Sequence, residues 1–322
     1  MEENDKQTIG WDSLSPKPCE DTEMDPNFKR GMLDLFEQLQ RNAVQLHYTP
    51  AAEPLAPCRS KIGGRPDVPA DFEWPYFESE NYKKVVANRP LSFMAQINLA
   101  ESAEFDKEGL LPKQGLLSFF YELETERWGF EAADKGCARV FWFKDLAALQ
   151  QADFPADLAE DFRLPEFAVQ FEAALDLPDL GDFVRSPLTQ ELPEEYPEAA
   201  DALDWDDFEQ LREEFGYTAE GEWSDNSKLL GWPDLIQNPM QQECEKVSRG
   251  IYCGSPQELD PELQAEIEQA SQDWILLFQM GTVENGDFEL MFGDAGHIYF
   301  WIKKQDLAAG NFDNIWLILQ CY

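Results

Sequence analysis

The chain has 322 residues, of which 43% are hydrophobic and 13% aromatic, enough apolar side chain for a folded core and too much for a disordered chain. Asp and Glu number 64 against 25 Lys and Arg, a formal charge of −39, which opposes binding to nucleic-acid phosphates and to anionic membranes, since both are held through cations. No run nears the ~18 consecutive apolar residues of a membrane span, and the start MEENDKQTIGW has neither a basic leader nor an apolar stretch, so a cytoplasmic chain is expected.

Residues 1–26 mix acids, Ser, Pro and Thr without periodicity and are expected to form a flexible acidic tail. From there Phe28, Met32, Leu35, Leu39 and Leu46 recur at helical spacing, and Asp25-Pro26 suits a helix start. The pattern predicts one helix that closes on His47 before Thr49-Pro50. The aromatic, β-favouring runs Leu91–Ile97, Leu116–Tyr121 and Arg139–Phe143 predict strands, and Asp145–Gln151 a short helix. Phe167–Leu175 fits a strand or a helix equally well.

Between Glu191 and Asp225 there are 14 acidic residues and a single basic one, Arg212. Within this stretch Leu203, Phe208, Leu211 and Phe215 sit at helical offsets, which predicts an acidic amphipathic helix over 201–215. The last third is again strand-rich. Trp274–Met280 and Phe288–Phe292 flank Asn285-Gly286, a strong hairpin signal, and Ile298–Ile302 and Ile315–Gln320 follow.

Two stretches resemble each other. Ser60-Lys61-Ile62-Gly63-Gly64-Arg65-Pro66-Asp67 matches Ser227-Lys228-Leu229-Leu230-Gly231-Trp232-Pro233-Asp234. Downstream, in the same order, come an apolar run holding Gln96 or Gln279 and a glycine, Gly115 or Gly296, that leads into an aromatic strand. Collinear order of three features predicts an internal duplication. The fold expected is α+β, with two related β-rich antiparallel halves and helical insertions packed as one unit: tail 1–26, N-terminal helix and first half 27–151, acidic partly helical insertion 152–226, second half 227–322.

These motifs resemble the bacterial YwqG family, of unknown function and distantly similar to the eukaryotic programmed cell death protein 2. The resemblance rests on the loop Ser60–Pro66, the strand Phe93-Met94-Ala95-Gln96-Ile97, the element Leu230-Gly231-Trp232-Pro233-Asp234 with Gln237, and the late strands Leu276–Gln279 and Gly296–Ile302. It spans roughly residues 28–322. It implies a duplicated β-rich fold that holds other proteins: the eukaryotic relatives chaperone a basic ribosomal protein, and bacterial members have been suggested to act near toxin systems. The eukaryotic relatives also carry an inserted zinc-binding cysteine cluster. This chain has no C-x-x-C pair, so the zinc role does not carry over.

Catalytic motifs of the dinucleotide, P-loop, zinc-protease and nucleophile-elbow types are absent from the sequence. With two histidines, His47 and His297, nucleophile–histidine systems have few candidates. Six cysteines (19, 58, 137, 244, 253, 321) are scattered; Cys244 and Cys253, which bracket the basic patch 246–249, fit no zinc spacing and read as free thiols. No catalytic residue, cofactor or metal is expected.

Gly63, Gly64, Arg65, Pro66, Gly231, Trp232 and Pro233 read as turns that seat the sheets, with Gln96 and Gln279 bonding backbone inside apolar strands. The functional expectation is a non-enzymatic module that sequesters or chaperones a basic protein, in its sharpest form an immunity protein against a toxin. Asp204, Asp206, Asp207, Glu213 and Glu214 are its candidate contact residues. The alternative is an enzyme acting on a small molecule in the cleft between the halves.

Overall fold

A computed structural model of the chain describes residues 24, 26–190, 205–217 and 226–322. The expected tail therefore lies almost wholly outside the described residues, as does Asp204. Met24 packs against a helical cluster, and Pro26 already opens helix α1, Pro26–Leu39.

The frame is one ten-stranded antiparallel sheet, so the protein is a mixed α and β fold as expected. Its strands are β1 Arg41–Pro50, β2 Lys61–Ile62, β3 Ser92–Asn98, β4 Leu116–Tyr121, β5 Ala138–Phe143, β6 Phe167–Asp176, β7 Lys228–Leu230, β8 Trp274–Met280, β9 His297–Lys303 and β10 Trp316–Gln320. They lie side by side in the order β10-β9-β8-β7-β1-β6-β2-β3-β4-β5. The long pair β1 and β6 forms the middle, in register from Arg41 opposite Asp176 to Pro50 opposite Phe167. Phe167–Leu175, which fitted a strand or a helix, is thus part of a central strand.

The sheet curls until it is nearly a barrel. Phe119 of β4 meets Phe278 of β8 with ring centroids 4.7 Å apart, and Phe300 of β9 at 5.2 Å. The loop after β4 then reaches β10: Trp316 Nε1 donates to the Gly129 carbonyl at 2.8 Å, and the Leu319 amide to the Trp128 carbonyl at 3.1 Å. Strands buried on both faces explain why β4 and β8 are mostly apolar, each with one polar residue, rather than alternating.

Helices cover two patches of the outer face. Helices α1, α2 (Leu180–Arg185) and α3 (Trp205–Phe215) enclose Phe36, Phe183 and Phe208, whose rings meet edge-on or tilted at 5.2–5.6 Å. Helix α4, Gln241–Ser248, packs Met240, Cys244 and Val247 over Trp274, Trp301 and Trp316, with α5, Pro261–Ser271, behind it.

Three local expectations are corrected. The first helix stops at Leu39, and Arg41–Pro50 is a strand. The seven-residue step from Leu39 to Leu46 suits a helix, but Val44, Leu46 and Tyr48 alternate into the core, and pairing on both sides of β1 wins. His47 is therefore an exposed strand residue, 3.1 Å from Glu172 across the β1–β6 pair. Asp145–Gln151 is a single 3₁₀ turn, Leu146–Ala148, followed by a short strand paired with Asp67–Pro69. The Asn285-Gly286 turn does form a hairpin, but between Val283–Asn285 and Phe288–Leu290, a ribbon outside the main sheet.

Candidate functional site

The two resembling loops build two cages around buried lysines. Lys61 on β2 is 1% exposed and lies opposite Gln96 of β3. Its Nζ is 2.9 Å from Glu166 Oε2 and 3.8 Å from Asp67 Oδ2. Gln96 donates from Nε2 to Asp67 Oδ2 at 2.6 Å and to the Arg59 carbonyl at 2.9 Å, and accepts from the Asp67 amide at 3.0 Å. Ser60 Oγ accepts the Asn98 amide.

Lys228 on β7 is likewise 1% exposed and lies opposite Gln279 of β8. Its Nζ is 3.0 Å from Asp176 Oδ2 and 2.9 Å from Asp234 Oδ1. Gln279 donates to Asp234 Oδ2 at 2.6 Å and to the Asn226 carbonyl at 3.0 Å, and accepts from the Asp234 amide at 2.9 Å. Ser227 Oγ accepts the Gly281 amide. Asp176 Oδ2 also accepts the Trp232 amide at 2.8 Å.

The glycines are required by this geometry. Gly63 and Gly64 have φ of +62° and +69°, and Leu230 and Gly231 have +59° and +74°, so each cage is entered through two left-handed residues. A Cβ on Gly64 would stand 2.5 Å from Glu166 Oε2, and one on Gly231 2.3 Å from Asp176 Oδ2. Pro66 and Pro233 are buried at the exits. Arg65 instead points outward to Asp153 at 2.9 Å, both side chains more than half exposed, a pair of small energetic weight. Trp232 seats the helical layer: its Nε1 donates to the Leu39 carbonyl at 2.8 Å, and the Arg41 guanidinium lies 3.4 Å from its ring centroid.

The second cage is chemically closed. Burial alone would lower the Lys228 ammonium, but Asp176 and Asp234 overcome it and hold it above its ordinary value. A lysine ionised in this way is no nucleophile. Among these groups Asp176 is pushed up by burial, and Asp234, although buried, is drawn down by Lys228. Buried His297 stands beside the second cage, with Nδ1 3.3 Å from Tyr299 Oη, which in turn donates to the Asp234 carbonyl.

Of the acidic candidates, Asp206, Asp207, Glu213 and Glu214 are all exposed on α3, whose opposite face buries Phe208 and Leu211. Glu214 pairs with Lys29 of α1, and that hydrogen bond lowers its carboxyl. Trp205 stands on the same helix 60% exposed.

Sequence reasoning passed over the buried carboxyls of Asp182 and Glu245 and the half-buried one of Glu243. Asp182 and Glu243 are each pushed up to about 7 by burial. Glu245, 3% exposed, accepts from Arg249 Nε at 2.8 Å, Lys303 Nζ at 2.8 Å and Trp274 Nε1 at 2.9 Å. Its only signal in the sequence is the neighbouring basic run 246–249. Cys244 and Cys253 are free, and burial raises both thiols, Cys253 to about 11. Among the described residues no group of three His, Cys, Asp or Glu is placed to hold a metal, and no helix is long and apolar enough to cross a membrane.

The architecture is thus a curled antiparallel sheet of ten strands pinned by two buried lysine cages. Residues 60–321 match the family described as a domain of unknown function, DUF1963, and the chain belongs to it. The matched range opens at Ser60, on the first cage, and runs through the last strand. No curated protein matches the chain.

Proposed function

We propose that this protein is a non-enzymatic binding module that takes up a basic protein partner, in its sharpest form a toxin that it neutralises. The observation that carries the reading is α3: Asp206, Asp207 and Glu213 are exposed on the same helix as the exposed Trp205, with Glu214 exposed and paired to Lys29, and the helix is anchored by Phe208 and Leu211. An exposed aromatic with a rim of one charge sign is the pattern of a site that steers an opposite charge and then buries an anchor. The charge of −39 extends that field over the molecule.

The YwqG-like reading of the motifs belongs to this proposal, and so does the duplication. It is supported by the matched cages and by a sheet order that reads outward alike on both sides of β1 and β6: β7, β8, β9, β10 one way and β2, β3, β4, β5 the other. The enzyme alternative draws little from the conspicuous titratable groups, since Lys228 is held ionised between carboxylates and the Cys244 and Cys253 thiols are raised by burial.

The test is affinity capture from the native cell, followed by stopped-flow association of the purified partner at low and high salt. A basic partner whose association slows steeply with salt is expected, because exposed charges act over a Debye length of ~8 Å at physiological ionic strength. An acidic partner, or a rate indifferent to salt, would refute the proposal.

A further inference from the structure

At one end of the sheet, between the C-terminal end of α4 and the loop after β4, lies a pocket of about 590 Å³, within the size range of small-molecule sites. Its apolar lining comes from Trp274 at the start of β8, Trp316 at the start of β10, Val247 of α4 and Ile315. Its charged lining is Lys135, Arg249, Lys303 and Asp306. Three cations against one carboxylate is the reverse of the chain as a whole, which carries 64 acids and 25 bases. Asp306 is already engaged, accepting from Asn311 Nδ2 at 2.7 Å.

Two of the cations are fixed from beneath. Glu245 lies buried behind the pocket and holds Arg249, Lys303 and the Trp274 indole in one fan of hydrogen bonds. Burial alone would raise this carboxyl, but the bonds from Lys303, Trp274 and Arg249 outweigh it and keep it below the ordinary value. One carboxylate cannot neutralise two cations. The further partner of Arg249, Glu266 at 3.3 Å, is 63% exposed and offers only a screened rim contact. The third cation, Lys135, is exposed.

We infer that this pocket is a binding site for a small organic anion, a carboxylate or phosphate carried on a flat apolar body. The anionic group would lie among Lys135, Arg249 and Lys303, and the apolar body against Trp274 and Trp316. Anion recognition by preplaced cations avoids the entropy of ordering long side chains on binding, and here Glu245 has already ordered two of the three. The site is remote in sequence from α3, so it stands or falls separately from the uptake of a basic protein.

The experiment is titration of the full chain, followed by calorimetry and by the indole N–H resonances of Trp274 and Trp316, assigned with Trp274→Phe and Trp316→Phe. The probes are phenyl phosphate, phenylacetate, inorganic phosphate and phenol. Saturable one-to-one binding of phenyl phosphate or phenylacetate is expected to move both indole resonances, and whichever binds more tightly identifies the headgroup. Inorganic phosphate and phenol, each lacking one half of the ligand, should bind at least about tenfold more weakly.

Lys135→Gln, at an exposed side chain, should leave the melting temperature unchanged and weaken the aromatic anion about tenfold, the usual weight of one charge-assisted hydrogen bond. Lys303→Gln should weaken it likewise, with folding checked by the same spectra. Phenol binding as tightly as phenyl phosphate would overturn the assignment. So would undiminished affinity in Lys135→Gln, or the absence of saturation by either aromatic anion up to roughly 10 mM, a concentration that reveals affinities of only a few kcal/mol. Glu245 would then serve only to tie α4 to the sheet.

Discussion

Lys61 and Lys228 stand in matched surroundings on opposite sides of the central strand pair, each facing a buried glutamine across a two-strand register and each six residues before the aspartate that the glutamine holds. The second acid of each cage comes from the two ends of one strand: Glu166 immediately precedes β6, and Asp176 ends it. A single strand therefore closes both cages, and the register of β6 is fixed at both ends.

This arrangement sets the first prediction. Removing one partner from a buried ion pair strands the other charge, at a cost of about 3–5 kcal/mol. Lys228→Met should fall in that range, since Asp176 and Asp234 are 4% and 6% exposed. Lys61→Met should cost less, because Glu166 is 16% exposed and can turn toward water. Urea unfolding of the two variants checks the order, and equal losses would show that burial of the acid does not govern the cost.

The cage glycines supply a second prediction. Gly64→Ala and Gly231→Ala force a Cβ into the Glu166 and Asp176 carboxylates while φ stays near +70°. A loss of at least about 2 kcal/mol is expected for each, more for Val, from backbone strain together with a displaced buried charge. Gly109, with φ +67° and no atom within 4 Å of where a Cβ would stand, is the control; its Ala variant should lose only the cost of the left-handed backbone, about 1–2 kcal/mol, and less than either cage variant. If all three behaved alike, strain alone would account for the glycines and the carboxylates would be irrelevant to them.

The long aromatic strands were legible in the sequence because burial on both faces writes itself as a nearly continuous apolar run, interrupted here by Ser118 and Gln279. Leu116–Tyr121 is read to the residue, and Trp274–Met280 likewise. The strand Arg41–Pro50 was hidden because Leu39 and Leu46 are separated by seven residues, which is two helical turns and equally a step from a helix into a strand. The strands at Lys61 and Lys228 have two and three residues, too few to display any period.

The motif loops stood out through their glycines and prolines, and the two glutamines through their apolar flanks. That the lysines beside them are buried could not be read, because a buried lysine is defined by partners distant in the chain. Asp176 is 52 residues from Lys228 and Glu166 is 105 from Lys61. Glu245 escaped for the same reason, its partners Trp274 and Lys303 lying on later strands.

A third prediction concerns pH. Burial raises Asp182 from 3.8 to about 7, with its Oδ1 accepting from Gln241 Nε2 at 2.9 Å. The folded state therefore holds this proton more tightly than the unfolded chain, and between about pH 4 and pH 7 folding takes up a proton. The contribution of Asp182 is most favourable below pH 4 and is lost as pH rises through 7, a swing of up to about 4 kcal/mol. Asp182→Asn, which keeps a partner for Gln241, should match the wild type near pH 4.5 and exceed it in stability near pH 8. Parallel stability profiles for the two proteins across that window would remove Asp182 as the cause.

The last prediction tests the acidic helix. Replacing Asp204, Asp206 and Asp207 with Asn removes three charges at nearly constant shape; the latter two are exposed on α3, where side-chain changes leave the buried anchors Phe208 and Leu211 in place. Exposed charges steer an encounter over about one Debye length and add little to the docked complex, because water and salt screen them there. Association with the basic partner should therefore slow several-fold at low salt and lose part of its salt dependence, while dissociation changes by less than about twofold. Trp205→Ala should do the opposite, leaving association nearly intact and speeding dissociation, as expected for an aromatic anchor that is 60% exposed in the free protein. Stopped-flow association and dissociation of the wild type, the two variants and their combination separates the two effects. If the aspartate variant altered neither rate, the surplus charge of α3 would serve solubility, and the partner would have to be sought on another face.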